Sequence, residues 1–209
     1  MSTVTGTSMP ICHLAGANLQ GIGMSTNTRE LILSAATRAA QAHGYGGLNF
    51  RDLAEAVGIK SASIHYYFPS KADLGAAVAR RYREDAAAAL EALSDETPDP
   101  LACLSRYPDM FRKALENDNR MCLASFMAAE FDDLPDAVAK EVQLFADVNV
   151  AWIDRQLSAA SLIAVEKSKQ RAQAIFAAIV GAQLLARSRS DVSLYNSMIA
   201  SYRDADLLP

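Results

Sequence analysis

The chain has 209 residues, 51% of them hydrophobic and 21% charged, with a formal net charge of −4. So large an apolar share fills a sizeable core and excludes wholesale disorder. The longest apolar run, 174–182, falls far short of the roughly 18 residues a membrane-crossing helix needs, and the start lacks the charged opening and apolar stretch of a signal peptide. A soluble, cytoplasmic protein without a membrane partner is expected. The acidic total argues against a uniformly basic nucleic-acid binder, but the charge is uneven. Residues 1–24 carry no charged side chain, 25–83 hold eight Lys and Arg against four Asp and Glu (net +4), and 84–209 hold twelve against twenty (net −8). A basic front on an acidic body suits contact with phosphates by the front alone.

Residues 1–24, rich in Gly, Ser and Thr and without periodicity, read as a disordered arm or as sequence upstream of a start at Met24. Thr28 is placed to cap a first helix and Glu30 to meet its dipole. Leu31, Ile32, Ala35, Ala36, Ala39 and Ala40 form its packing face, His43 reads as a cation at its end, and Gly44 stops it. The stretch 49–68 then reads as two short helices across a tight turn. Asn49 caps the first, with Asp52 completing a weak capping-box pattern. Leu53, Ala54 and Val57 give it an apolar stripe, and Gly58 ends it where φ > 0 is needed. Ile59 plugs the turn and Lys60 or Ser61 opens the second helix. Its Ile64 and Phe68, four apart, face a core; Ala62 and Tyr66 lie opposite, flanked by Ser63 and His65. Two helices at a steep angle across a glycine turn make the helix-turn-helix unit, whose second helix enters the major groove. Small, hydroxyl and aromatic hydrogen-bonding residues on its outer face suit phosphates and base edges. Ser70 and Asp73 have capping-box spacing and open a stiff, alanine-rich helix over 71–93, with Lys71 in its first turn.

The acidic, proline-containing segment 94–100, SDETPDP, is the best domain boundary. A helix starts near Pro100, and Pro108 must kink or split it. A short helix over 120–130 and a turn at 131–134 follow. Pro135 opens a long helix to about 159, with Val138, Val142, Phe145, Val148, Trp152 and Ile153 at helical steps. Helices over 161–188 and 191–204 end the chain, Asp191 capping the last. From 172 to 186 the penultimate helix is apolar nearly all round, as a helix buried on both sides is. No strand-like alternation persists, and there is no repeat, Walker loop, HExxH or GxSxG.

The residues 58–74, GIKSASIHYYFPSKADL, with TRELILSAA, HGY and RDLAEAVG upstream of them, resemble the signature of the TetR family of transcriptional regulators. That pattern is roughly G-V-S-x-[GA]-x-[LI]-Y-x-[HY]-F-x-[SN]-K-x-[DE]-L, and the match covers about the first third of the chain. Lys60 stands where a serine is common and His65 where a tyrosine is common, both on the outer face. The resemblance implies an all-α fold of about nine helices. A three-helix helix-turn-helix DNA-binding domain over 25–85 would be joined by helix 71–93 to a larger ligand-binding and dimerisation domain over 95–209. It implies DNA contact by Asn49, Arg51, Lys60, Ser61, Ala62, Ser63, His65, Tyr66, Tyr67 and Lys71, the last against a phosphate where helix N–H groups add to the site. It also implies a homodimer built as a four-helix bundle from the last two helices, with Ala178, Gly181, Ala182, Leu185, Leu194, Tyr195 and Met198 at the interface. A purely intramolecular core is the alternative.

The body contains Tyr107, Met110, Phe111, Cys122, Phe126, Met127, Phe145, Trp152 and Phe176 on neighbouring helices. Such an inventory lines sites between the helices of a bundle, and it equally describes a filled core. The resemblance favours a cavity for a small apolar or amphipathic effector. Cys12, Cys103 and Cys122 form no CxxC pair, and His13, His43 and His65 lie on separate segments. Neither metal nor cofactor is expected. Cys103 and Cys122 read as buried, inert thiols, with a redox-sensing pair as the alternative, and Asp132-Asp133 reads as a solvated turn rather than an acid/base pair. The resulting expectation is a DNA-binding regulator, not an enzyme: a repressor released from a near-palindromic double-stranded operator by a small molecule. The alternative is an all-helical carrier or enzyme with a vestigial DNA-binding module.

Overall fold

The computed structural model describes residues 24–161 and 163–209, so the expected arm with Cys12 and His13 lies outside the described residues, apart from Met24. The helices are α1 (Met24–His43), α2 (Phe50–Val57), α3 (Ser61–Tyr67), α4 (Lys71–Glu96), α5 (Pro100–Glu116), α6 (Leu123–Ala128), α7 (Asp136–Ala159), α8 (Val165–Ser188) and α9 (Val192–Asp204). Short 3-10 turns occur at Tyr45–Gly47 and Phe131–Asp133. Among the described residues there is no strand.

Local chemistry sets most of these limits. Asn49 Oδ1 accepts the N–H groups of Arg51 (2.8 Å) and Asp52 (3.4 Å), two donors that the first helical turn leaves without partners. The box is not reciprocal, because the N–H of Asn49 goes to the carbonyl of Gly47. Gly58 ends α2 in the left-handed region (φ 75°). Ser70 and Asp73 form a complete capping box on α4. Asp99 caps α5 and Asp191 caps α9.

Several expectations are corrected. α1 begins at Met24, so Thr28 lies inside it rather than at its cap. Glu30 pairs with Arg81 of α4. Leu31 is exposed and Leu33 is buried, because α1 packs on α4 and α6 as well as on α2 and its buried stripe turns toward them. α5 is not split at Pro108, whose carbonyl accepts the Tyr195 hydroxyl at 2.8 Å. α6 is shorter than 120–130, since Asp118 and Asn119 adopt left-handed φ (57° and 52°) and turn the chain before it. α8 starts at Val165 rather than 161.

The helices α1, α2 and α3 pack on one another, and α4 leaves them to run along α7. One apolar cluster extends from Ile32 to Leu208. Polar pins hold α4 to α7 within it. Glu141 of α7, itself buried, accepts from Arg80 and Arg83 of α4, both at 2.9 Å. Further along, Ser94 Oγ accepts from Trp152 Nε1 (3.0 Å) and Gln156 Nε2 (3.1 Å). Burial pushes the Glu141 carboxyl up, but hydrogen bonds and charge from Arg80 and Arg83 outweigh it and hold the group below its ordinary value.

Glu141→Ala would take from Arg83, only 22% exposed, its partner at 2.9 Å and leave it Glu84 at 3.5 Å. The expected loss is about 1–3 kcal/mol at neutral pH, read by urea denaturation. Because the folded value is depressed, the contribution of Glu141 is complete above the ordinary carboxylate range and fades as pH falls through the folded value. The stability gap between parent and variant should therefore narrow on acidification; a gap that widened would contradict the pairing.

Candidate nucleic-acid interface

α3 is seated by its inner residues. Ile64 is fully buried and Phe68, just past the helix end, nearly so. What remains faces outward: Lys60, Ala62, His65 and Tyr66 are exposed, and Ser61, Ser63 and Tyr67 are half-buried. Tyr66 is 82% exposed and meets the Tyr67 ring edge-on, 5.1 Å between centroids. His65 is less free than its exposure suggests. Its ring packs on Phe50 of α2 at 4.6 Å and its Nδ1 lies 3.4 Å from the carbonyl of Pro69. Lys60 stands at the N-cap of α3 without a side-chain cap bond. Arg51 is exposed on α2, and Asn49 has its side-chain oxygen committed to the cap.

Lys71 opens α4 beside this face. Its Nζ lies 4.6 Å over the Tyr45 ring and 3.5 Å from the carbonyl of Gly46. Asn49, Phe50, His65 and Lys71 thus meet at one shallow cleft with Gly46 and Leu48. Sequence reasoning missed Tyr45, although the HGY triplet marks a turn there. It also missed Glu130 and Arg187, which reach this end of the molecule from 85 and 145 residues away. No local pattern announces such contacts.

Among the residues singled out for the body, Met110, Phe111, Cys122 and Phe145 line a common space with Tyr82, Ala86, Ala114, Asn149 and Gln183. Its volume is about 10 Å³, room for roughly one water. The other five lie elsewhere, with Met127 fully buried in the core. Tyr107 is fully buried, donates its hydroxyl to Asn149 Oδ1 (2.8 Å) and stacks on Trp152 at 5.5 Å. Phe176 is half-buried beside Phe111 and Phe145, both at 6.3 Å. Phe126 lies under the Arg187 guanidinium. In this conformation the interior is a filled core with a small void. Gln183 pins it: Oε1 accepts the Cys122 N–H (3.0 Å) and Nε2 donates to the Phe111 carbonyl (2.8 Å). Burial pushes the Cys122 thiol up, away from the reactive thiolate.

The residues singled out on α8 and α9 divide. Ala182 and Tyr195 are buried inside the chain's own core. Ala178, Gly181, Leu194 and Met198 are half-buried, while Leu184 and Leu185 are 52% and 49% exposed. A Cβ added at Gly181 would meet open space. The outer side of α8 is therefore an apolar stripe of small residues and leucines. Among the described residues no group of His, Cys, Asp and Glu could hold a metal ion, and no helix is long and apolar enough to cross a membrane.

Gln183→Leu fills similar volume but strands the buried Cys122 N–H. Stability should fall by about 1–3 kcal/mol, seen as a lower urea midpoint at unchanged slope; an unchanged midpoint would mean that another group satisfies this donor.

Comparison with known proteins agrees with this geometry. The model of the family described as bacterial regulatory proteins, tetR family, matches residues 32–78, which span the second half of α1, α2, α3 and the start of α4. The chain is 30% identical over 131 residues to the HTH-type transcriptional repressor AcnR of Corynebacterium glutamicum; the aligned stretch covers 63% of this chain and 59% of that relative. Among solved structures, a TetR transcriptional regulator from Legionella pneumophila superposes with a TM-score of 0.81 at 30% identity, covering 89% of this chain and 99% of that one. A TetR-family regulator from Agrobacterium tumefaciens gives 0.78 at 26% identity, over 83% and 94%. With the exposed second helix, the glycine turn and the capped α4 all in the expected order, the chain belongs to the TetR family of bacterial regulatory proteins.

Proposed function

We propose that the protein is a homodimeric, sequence-specific DNA-binding transcriptional regulator, a repressor released from its operator by a small uncharged molecule. The observation that carries this reading is α3. It is a seven-residue helix held by Ile64 and Phe68, with Tyr66 and its neighbours turned outward and Lys71 beside them. Nothing in the fold requires a tyrosine there. An outward aromatic hydroxyl between serines and basic residues suits sugar, phosphate and base edges. In this reading 25–85 is the DNA-binding domain and 95–209 the sensing and dimerising one, with the basic charge concentrated in the first.

The test is binding of a labelled duplex, enriched by the parent protein from a random-sequence pool, as a function of salt. Lys71→Ala should weaken binding to all sequences alike and reduce the salt slope by about one. Tyr66→Ala should cost about 1–3 kcal/mol on the enriched duplex, the worth of one good contact, with the thermal melt unchanged. An all-helical carrier or enzyme would show no salt-dependent retention at all.

The apolar outer stripe of α8, with Leu194 and Met198 of α9 beside it, supports the dimer. Two-fold symmetry would set the two α3 helices about 34–36 Å apart, or a multiple, and make the operator a near-palindrome. An effector touching only the body can act only by binding two dimer conformations unequally. With about 10 Å³ between α4, α5, α7 and α8, the sensing conformation is a wider one. The residues lining that space carry no formal charge, which favours an uncharged ligand. A coupling of about 1–3 kcal/mol would change operator affinity some 5–150-fold in return for the same loss of ligand affinity.

Gly181→Glu or Ala178→Glu places a charge in the proposed interface. Sedimentation should then show monomer or aggregate in place of dimer; a clean dimer from both variants would remove α8 from the interface.

A further inference from the structure

The C-terminal end of α1 is held by the body. Arg187 of α8 donates to the carbonyls of Gln41 (3.2 Å) and Ala42 (2.9 Å), a cation on the negative end of the helix dipole. Its guanidinium lies 4.6 Å over Phe126 of α6. Glu130, just past α6, accepts the N–H of Tyr45 at 2.7 Å. Gly44 permits this approach: its φ is 65°, and a Cβ there would lie 2.2 Å from Glu130 Oε2. Tyr45 is pinned on its other side too. A Cβ on Gly75 of α4 would lie 2.7 Å from Tyr45 Cε2, so the ring rests directly on the helix. Lys71 Nζ then sits over that ring and beside the Gly46 carbonyl.

These contacts form a chain from the body to the ammonium group. We propose that Glu130 is a positioning residue for DNA contact: by fixing the Tyr45–Gly47 turn it holds Lys71 where a phosphate meets it. The inference rests on the DNA-binding reading above, and assigns a determinant of affinity to a residue outside the helix-turn-helix. Its sign sets it apart from simple charge effects. A carboxylate near a DNA-binding face repels the polyanion, so its charge alone weakens binding. Removing the charge should then tighten binding, whereas losing the turn should loosen it.

Three variants separate the two. Glu130→Gln keeps the acceptor and removes the charge; Glu130→Asp keeps the charge but is one methylene short of the Tyr45 N–H; Glu130→Ala removes both. Binding of the enriched duplex is followed by fluorescence anisotropy across a salt series, with thermal melts as the folding control. If Glu130 positions Lys71, Gln binds at least as tightly as the parent. Asp and Ala then bind about five- to tenfold more weakly, with a salt slope smaller by about one. The double variant Glu130→Ala with Lys71→Ala binds like Lys71→Ala alone. If only charge matters, the order is Ala equal to Gln, both tighter than the parent, with Asp equal to the parent, and the role is overturned. It is equally overturned if Glu130→Ala weakens the Lys71→Ala protein as much as the parent. Should Glu130→Ala fail to fold, Glu130→Asp against Glu130→Gln decides. A parent without salt-dependent binding overturns the DNA reading itself, and with it this role.

Discussion

α4 joins the helix-turn-helix to the body, and a buried carboxylate of α7 pins it there. Glu141 stands inside the α4–α7 contact with arginines from successive turns of α4 on both of its oxygens. A buried charge is tolerated only when it is paired and hydrogen-bonded. This one fixes both the register and the rotation of a 26-residue helix against its neighbour. Apolar packing elsewhere on α4 mixes Ala76, Ala79, Ala86 and Ala89 with Leu74, Val78, Tyr82, Leu90 and Leu93, and the paired arginines add a directional constraint to it. The second pin at Ser94 works the same way, its one hydroxyl shared by Trp152 and Gln156.

With α4 fixed, the contacts at its start acquire meaning. Lys71, Gly75 and the Tyr45 ring form one packed unit, and the turn that carries Tyr45 is also tied to the loop after α6. The start of α6 is tied to Gln183 of α8, and its Phe126 lies under Arg187, one helical turn further along α8. The void in the body therefore borders the same short helix that braces the end of α1. In the proposed reading, a change in volume at that void would reach the helix-turn-helix through these contacts, several of them discrete hydrogen bonds. Such contacts favour two arrangements over a continuum, which is what a switch between conformations requires.

How much of this was legible in the chain follows from the range of each interaction. Asn49, Gly58, Ser70 with Asp73, and Asp191 act on backbone groups within about one helical turn, and their roles could be read directly from spacing; Asp99, the cap of α5, escaped that reading. The seating of α3 by Ile64 and Phe68 follows from a period of 3.6 and leaves its outer face as the only place for Ala62, His65 and Tyr66. Charge asymmetry between the front and the body needs no structure at all.

What the tertiary structure alone decided was set by groups that meet across long separations. Leu33 rather than Leu31 is buried because α1 has neighbours on two sides, and a one-dimensional period carries no record of them. Pro108 does not split α5, and its own carbonyl accepts a tyrosine hydroxyl from 87 residues away. The aromatic inventory of the body could equally have lined a cavity or filled it, and here it fills it, since volume is a property of the packed arrangement and not of composition. Glu130 and Arg187 look like ordinary surface charges in the sequence. Only the fold brings them to the end of α1, where exposed helix carbonyls and one free N–H need partners that the local chain does not supply.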